Sequence, residues 1–284
     1  MNLTLQKIIN LPKAVKISIL PHDNLDVDAI LSSILLSQIL DYLKIDNEII
    51  VFDKKTARDT NYICKLVGVD ISSYIVDEED SSRNLFLIDH FSTSHKGSVI
   101  GCIDHHPTNQ NINCDIYEYR ASCATAYIIY SFMLEINMEV TKEMFEMITY
   151  AMLVDTCSFT SSKTVKKEAE ILPSIVSSYG LDFKKMKERA YLYTDIENMS
   201  IEEIITNGLK EYHFKRGTVK ASYIQSKNNV NEDLFAEISS EIRKRVLDEN
   251  LLLWVFISYA LEEKKTYLHL ISALDVESKK YDRI

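Results

Sequence analysis

Along the first two thirds of the chain, short runs of apolar and β-branched residues alternate with longer stretches whose apolar positions recur at helical spacing. Residues 15–20 form the first run, closed by Pro21, and predict a strand; residues 29–43 then predict a helix. Residues 48–52 predict a second strand and residues 56–67 a second helix, with Gly68 as its C-terminal cap. Further strands are expected at residues 85–88 and 98–103, and helices at 122–134, 141–153 and 165–178. Thr141 is placed to cap the second of these helices, whose Met144, Ile148 and Met152 share one face as core filling, and Gly180 ends the third. This alternation predicts a parallel sheet covered on both faces. The first residues predict either a short helix or an extended arm.

A charged segment, residues 182–198, separates this pattern from a second one. There a helix is expected at 201–211, a strand at 219–225, a helix at 234–248, and strands at 251–258 and 267–273. A chain of 284 residues with 46% hydrophobic content can build two cores. The expected architecture is α/β: an N-terminal domain, residues 1–185, with a mostly parallel sheet flanked by helices, and a smaller C-terminal α/β domain, residues 195–284.

The formal net charge of −10 argues against broad attraction to nucleic acid or an anionic membrane. It leaves room for an anionic substrate, because bound divalent cations reverse the field inside an acidic pocket. The five cysteines form no CxxC pair and no regular spacing, so no disulfide framework is expected. No signal peptide or spanning segment is expected, since the apolar run at 251–257 is short and flanked by charge. A cytoplasmic location is the default expectation.

Chemistry concentrates at the ends of the predicted strands. His22-Asp23-Asn24-Leu25-Asp26-Val27-Asp28 follows the first strand, and a curled connection would bring His22, Asp26 and Asp28 towards one or two hard cations. Taken alone, the segment is explained equally well if Asp26 or Asp28 caps the following helix and His22 is a surface residue. The pattern repeats, however: one strand ends in Asp89-His90, another in Asp104-His105-His106-Pro107, and the 141–153 helix runs into Asp155. His22, Asp26, Asp28, Asp89, His105 and Asp155 supply four carboxylates and two imidazoles, too many for one small ion but suited to two that share a carboxylate. Oxygen and nitrogen ligands without thiolate favour Mn²⁺, Co²⁺, Fe²⁺ or Mg²⁺ over structural zinc.

The segment from His22 to Asp28, together with Leu87-Ile88-Asp89-His90, Ile103-Asp104-His105-His106 and Leu153-Val154-Asp155-Thr156, resembles in order the four motifs of the DHH phosphoesterase superfamily. The second domain resembles the small DHHA2-type domain of manganese-dependent (family II) inorganic pyrophosphatases and their exopolyphosphatase relatives. The resemblance implies an active site in the interdomain cleft. It implies two cations held by the six residues above, with Asp89 bridging: Mn²⁺ first, Co²⁺ or Mg²⁺ as substitutes, and a further Mg²⁺ accompanying substrate. A hydroxide between the metals would attack phosphorus in line. His106 would hydrogen-bond the phosphate and protonate the leaving group, with Asp104 orienting imidazoles. Lys220 matches the family's substrate lysine. Glu277-Ser278-Lys279-Lys280 stands where the family carries arginine and lysine, so Lys279 and Lys280 would neutralise phosphate without the arginine fork unless they form only a solvated tail. Leu25 in place of proline, Phe91 in place of asparagine and a shortened interval from Asp89 to His105 are further departures. His90 and His95 are expected to be local loop hydrogen-bonders, and Cys157 a small buried hydrophobe.

The expected activity is two-metal hydrolysis of a phosphoanhydride, with inorganic pyrophosphate as leading substrate. Exopolyphosphatase activity is the nearest alternative. A phosphodiesterase acting on short oligonucleotides or cyclic dinucleotides is another, weakened because the glycine-rich motif of such relatives has no counterpart in a chain lacking any Gly-Gly pair. A non-catalytic metal-dependent binding protein is disfavoured because every expected ligand type is present. The expected partner is a small phosphate compound. Neither membrane association nor stable nucleic-acid binding is expected, and an exposed sheet edge leaves a homodimer open.

Overall fold

The computed structural model describes all residues except 53–55, 108–113, 192–195, 197–198, 274 and 283–284, and the side chains of 276, 278 and 280–282. The chain divides into two compact units, Met1–Ala190 and Tyr191–Ile284.

The first unit opens with α1 (Leu3–Ile9), followed by β1 (Ile17–Pro21), α2 (Val27–Tyr42), β2 (Asn47–Ile49) and α3 (Arg58–Leu66). A 3-10 turn (Ile71–Tyr74) leads to β3 (Asn84–Ile88), β4 (Ser98–Asp104) and β5 (Ile116–Tyr119). Helices α4 (Thr125–Glu135), α5 (Lys142–Asp155), α6 (Lys166–Ser178) and α7 (Phe183–Arg189) complete it. The strands lie in the order β2-β1-β3-β4-β5, every pair parallel. Strand order therefore reverses between β1 and β3, the place where an open α/β sheet forms a crevice at its carboxyl edge.

Both sheet faces are apolar. Leu20, Ile50, Leu85, Leu87 and Cys102 pack together on one side, and the intervening Phe86 and Ile88 are fully buried as well. Helix α2 is buried around most of its circumference, from Val27 to Leu36, because it packs against β1, α4 and α5 together. Thr141 caps α5 by accepting the Met144 N–H, and Gly68 follows α3 at φ +76°, a left-handed position that suits glycine after a helix end. Gly101 on β4 lies against Phe86, whose ring occupies the space of a side chain there: an added Cβ would stand 2.3 Å from a ring carbon.

The second unit carries α8 (Ile201–Thr206), β6 (Lys210–Phe214), β7 (Gly217–Ser226), α9 (Glu232–Asp248), β8 (Leu253–Ala260), β9 (Lys265–Ile271) and β10 (Val276–Asp282). Its sheet, ordered β10-β9-β8-β7-β6, is mixed: β7 and β8 run parallel across the α9 connection, and the other pairs are antiparallel. Ile204, Ile205, Ile224, Ile238, Ile242, Trp254, Phe256 and Ile271 form its core.

Four segments depart from the sequence-based expectation. The helix expected over 201–211 ends at Thr206; Gly208, at φ +58°, turns the chain into β6, whose residues are all exposed and so show no apolar alternation. Strand β5 is short and only partly buried, α7 lies inside the charged segment, and the lysine-containing C-terminal segment pairs with β9 as β10.

Candidate metal centre

Three neighbouring parallel strands deliver the polar groups to one edge. The connection after β1 carries His22 and Asp26, the residue after β3 is Asp89, and β4 ends in Asp104 followed by His105 and His106. The N-terminus of α4 and the C-terminus of α5, which ends in Asp155, close on the same place.

Asp26 divides its carboxylate between two tasks. Oδ1 accepts the Ala29 N–H at 2.9 Å, capping α2, while Oδ2 stands 3.3 Å from His22 Nε2. Capping and site formation are thus both true of this residue. Asp28 points inward: it accepts from Ser32 Oγ at 2.9 Å and from the Thr125 and Ala126 N–H groups at 2.6 and 3.0 Å. The first turn of α4 therefore fixes this carboxylate.

Asp89 sits at the centre, buried, in the left-handed region at φ +61°. Its Oδ1 accepts from Thr125 Oγ1 at 2.7 Å and lies 3.6 Å from both His105 Nε2 and His106 Nδ1; its Oδ2 lies 3.5 Å from His22 Nε2. Two groups able to hold a metal ion follow from this geometry, Asp89 with His105 and His106, and His22 with Asp26 and Asp89. They share Asp89.

The tautomers follow from the partners. The His105 Nδ1–H donates to the Ser122 carbonyl at 2.8 Å, and the His22 Nδ1–H donates to the Asp23 carbonyl at 2.7 Å. Each ring therefore turns Nε2 towards carboxylates. His105 Nε2 faces Asp28, Asp89 and Asp155 at 3.8, 3.6 and 3.6 Å. His105 Nε2, Asp89 Oδ2 and Asp155 Oδ2 are buried without a hydrogen-bond partner among the described residues. Lone pairs aimed at carboxylates in a buried space repel unless a cation stands between them, so this donor set fits divalent metal.

Protonation follows the same logic. Burial alone would lower the His22 imidazole, but the Asp26 and Asp89 carboxylates, 3.3 and 3.5 Å from its Nε2, outweigh it and raise it to about 11. His105 is likewise raised, burial being overcome by Asp28, Asp89 and Asp155. Asp89, despite burial, is held below the usual carboxylate range by His22 and His105. Burial, then the charge of Asp89, pushes Asp28 up.

His106 stands at the rim, its side chain 35% exposed. Asp104 Oδ1 accepts both its backbone N–H at 2.8 Å and its Nδ1–H at 2.9 Å, and this hydrogen bond leads the causes that raise the imidazole. Its Nε2 faces Lys163 Nζ at 3.2 Å. Lys163 donates to Asp155 Oδ1 at 2.7 Å. Nothing in the sequence singled out Lys163, Thr125 or the Ser122 carbonyl. Lys163 is reached through a turn in which Cys157, Ser158 and Phe159 all have positive φ, +48°, +55° and +63°. Such backbone costs about 1–2 kcal/mol per residue; bonds from Thr156 Oγ1 to the Met152 carbonyl and from the Phe159 N–H to Thr156 Oγ1 hold it. Cys157 is part of that turn and only half-buried, not a core residue.

The other residues that the sequence singled out make contacts of their own. His90 bonds the Ile88 carbonyl through Nδ1, and His95 bridges Glu79 and Asp23. In the second unit the Lys220 ammonium contacts Glu249, lies 3.6 Å from Glu211 and sits 5.7 Å from the centre of the Trp254 ring. Lys279 is exposed on β10, 3.1 Å from Glu277, and the Lys280 side chain lies outside the described residues. No helix among the described residues is long and apolar enough to cross a membrane.

Clustered carboxylates and imidazoles at the carboxyl edge of a parallel sheet define a candidate two-metal centre. Residues 16–153 match the DHH family, N-terminal domain. The manganese-dependent inorganic pyrophosphatase of Bacillus subtilis is 25% identical over 260 residues, covering 85% of this chain and 81% of that protein. The manganese-dependent inorganic pyrophosphatase of Methanothrix thermoacetophila is 23% identical over 256 residues, covering 84% and 79%. In fold, the chain is similar to a Methanococcus jannaschii protein regarded as a candidate family II inorganic pyrophosphatase, with a TM-score of 0.64 at 18% identity over 91% of this chain and 88% of that one. The chain therefore contains a DHH N-terminal domain and is related, at low identity, to the manganese-dependent pyrophosphatases.

Proposed function

We propose that the protein hydrolyses a phosphoanhydride, with inorganic pyrophosphate as leading substrate, at a centre holding two divalent cations. The observation that carries this reading is the pair of ligand groups sharing Asp89, one carboxylate oxygen turned towards each. His22, Asp26, Asp28, Asp89, His105 and Asp155 hold the cations, Mn²⁺ first and Co²⁺ or Mg²⁺ as substitutes. When bound, the cations neutralise phosphate charge and acidify a water for in-line attack. Relatedness to manganese-dependent pyrophosphatases supports both the metal and the substrate.

The chain's own groups divide the remaining work. Asp28, fixed by Ser32 and the first turn of α4, keeps its position as charge enters or leaves the centre. The Ser122 carbonyl holds the His105 tautomer, so its lone pair stays on Nε2. His106, oriented by Asp104 at the exposed rim, donates to substrate phosphate and passes a proton to the leaving oxygen when Nε2 is protonated, the Lys163 N–H that Nε2 otherwise accepts having turned to the phosphate. The second unit, read as a DHHA2-type domain, contributes Lys279 and Lys280; Lys220 joins them only by leaving Glu249 and Glu211.

The test is phosphate release by metal-free protein reconstituted with Mn²⁺, assayed on pyrophosphate, long-chain polyphosphate and a short oligonucleotide. Fastest release from pyrophosphate is expected. Turnover of polyphosphate alone would reassign the substrate, and turnover of the oligonucleotide alone would overturn the phosphoanhydride reading.

A further inference from the structure

Among the described residues, Lys163 is the one lysine or arginine ion-paired with a carboxylate of the centre. Its neighbours leave one of its donors open. An ammonium carries three N–H donors. One is directed at Asp155 Oδ1, 2.7 Å away, and one at His106 Nε2, 3.2 Å away. The side chain is 42% exposed, so the third donor is open to a ligand arriving at the rim beside His106.

The pair with Asp155 is compatible with a metal at the same carboxylate. Asp155 splits its oxygens: Oδ1 takes Lys163, while Oδ2 is the buried, unpartnered atom facing His105 Nε2. A cation can take Oδ2 without displacing the lysine. Backbone hydrogen bonds close the turn before it, from the Ser158 N–H to the Leu153 carbonyl at 2.7 Å and from the Ser161 N–H to the Thr156 carbonyl at 2.9 Å. The ammonium thus extends from a hydrogen-bonded turn.

Resting on the phosphohydrolase reading above, we propose that Lys163 is a substrate-binding residue whose free N–H donates to a non-bridging phosphate oxygen beside His106. This places a phosphate-binding cation in the same unit as the metal ligands. Lys220, by contrast, has its charge matched by Glu211 and Glu249. A charge-assisted hydrogen bond to an anion is worth about tenfold to a hundredfold in affinity.

The experiment is calorimetric titration of inorganic phosphate into Mn²⁺-loaded protein, comparing wild type, Lys163→Gln and Lys163→Arg, with bound metal counted in each. The expected result is phosphate affinity about tenfold to a hundredfold weaker in Lys163→Gln at unchanged metal content, and largely restored in Lys163→Arg. Unchanged phosphate affinity in Lys163→Gln, against measurable binding in wild type, would overturn the proposal and leave the phosphohydrolase reading intact. Loss of metal from Lys163→Gln, with phosphate affinity recovered once metal is saturating, would also overturn it, because the lysine would then only position Asp155. Failure of wild type to bind phosphate or to release it from any anhydride would instead remove the hydrolase reading itself, and this proposal with it.

Discussion

Asp89 is the residue that the two candidate ligand groups share. It is buried, it connects the two ligand groups, and its position depends on a left-handed backbone at the end of β3 and on the Thr125 hydroxyl. Asp89→Asn preserves size but replaces one oxygen by an amide nitrogen that cannot ligate, and it removes the charge facing His22 and His105. Breaking a buried pair of this kind costs about 3–5 kcal/mol, or a hundredfold to a few thousandfold in metal affinity. Metal counting is expected to show fewer than two cations per chain, and phosphate release to fall to background. A variant that kept both metals and normal turnover would show that Asp89 is not needed to hold either cation. At this scale the sequence exposed the acidic and imidazole residues because they sit in short runs after strands. It did not expose Thr125, which acts on Asp28 across 97 positions, or Lys163, which meets His106 across 57. An isolated threonine or lysine has no local signature; only its partner identifies it.

Elements hold these residues in place through close packing between β3 and β4. Gly101→Ala drives a methyl group into the Phe86 ring. Overpacking of this kind costs about 1–3 kcal/mol, and a lower midpoint for the first unit in urea is the expected result. In the second unit His269 on β9 is 7% exposed and stacks near Phe235 and Phe256. Burial lowers its imidazole from 6.5 to about 4. The fold therefore keeps His269 neutral while the unfolded chain takes up a proton below pH 6.5, so stability falls as pH drops from about 6.5 towards 4. The loss is at most about 3 kcal/mol. Unfolding followed across that range should show this slope, and His269→Leu should flatten it. The long buried helices and strands were legible because burial writes apolar periodicity into them. Strands β5 and β6 were not, since one is short and partly buried and the other wholly exposed, leaving no alternation to read.

At the scale of the molecule, every candidate ligand lies in the first unit, whereas the one tryptophan, Trp254, lies in the core of the second. Metal binding and tryptophan fluorescence therefore report on different units. Mn²⁺ at a hundred times its dissociation constant is expected to stabilise the first unit by about 2.7 kcal/mol. Circular dichroism should register that rise, and the Trp254 fluorescence transition reports whether it reaches the second unit. A matching shift of the Trp254 transition would mean that the units unfold as one.

The sequence alone determined the alternation of strands and helices, the separation of a second α/β pattern, and the placing of carboxylates and imidazoles just beyond strand ends. Each of these is local: it depends on side-chain period, on turn-forming residues, and on a few neighbours along the chain. Tertiary structure decided how those ends meet. Strand order 2-1-3-4-5 sets the connection after β1 beside Asp89 and Asp104, and the first turn of α4 supplies the N–H groups that fix Asp28. It also decided which lysines have open donors, committing Lys220 to Glu249 and Glu211 while carrying Lys163 to the rim. Hydrogen-bond partners and charge pairs depend on distances between elements far apart in the chain, and those distances exist only once the sheet has formed.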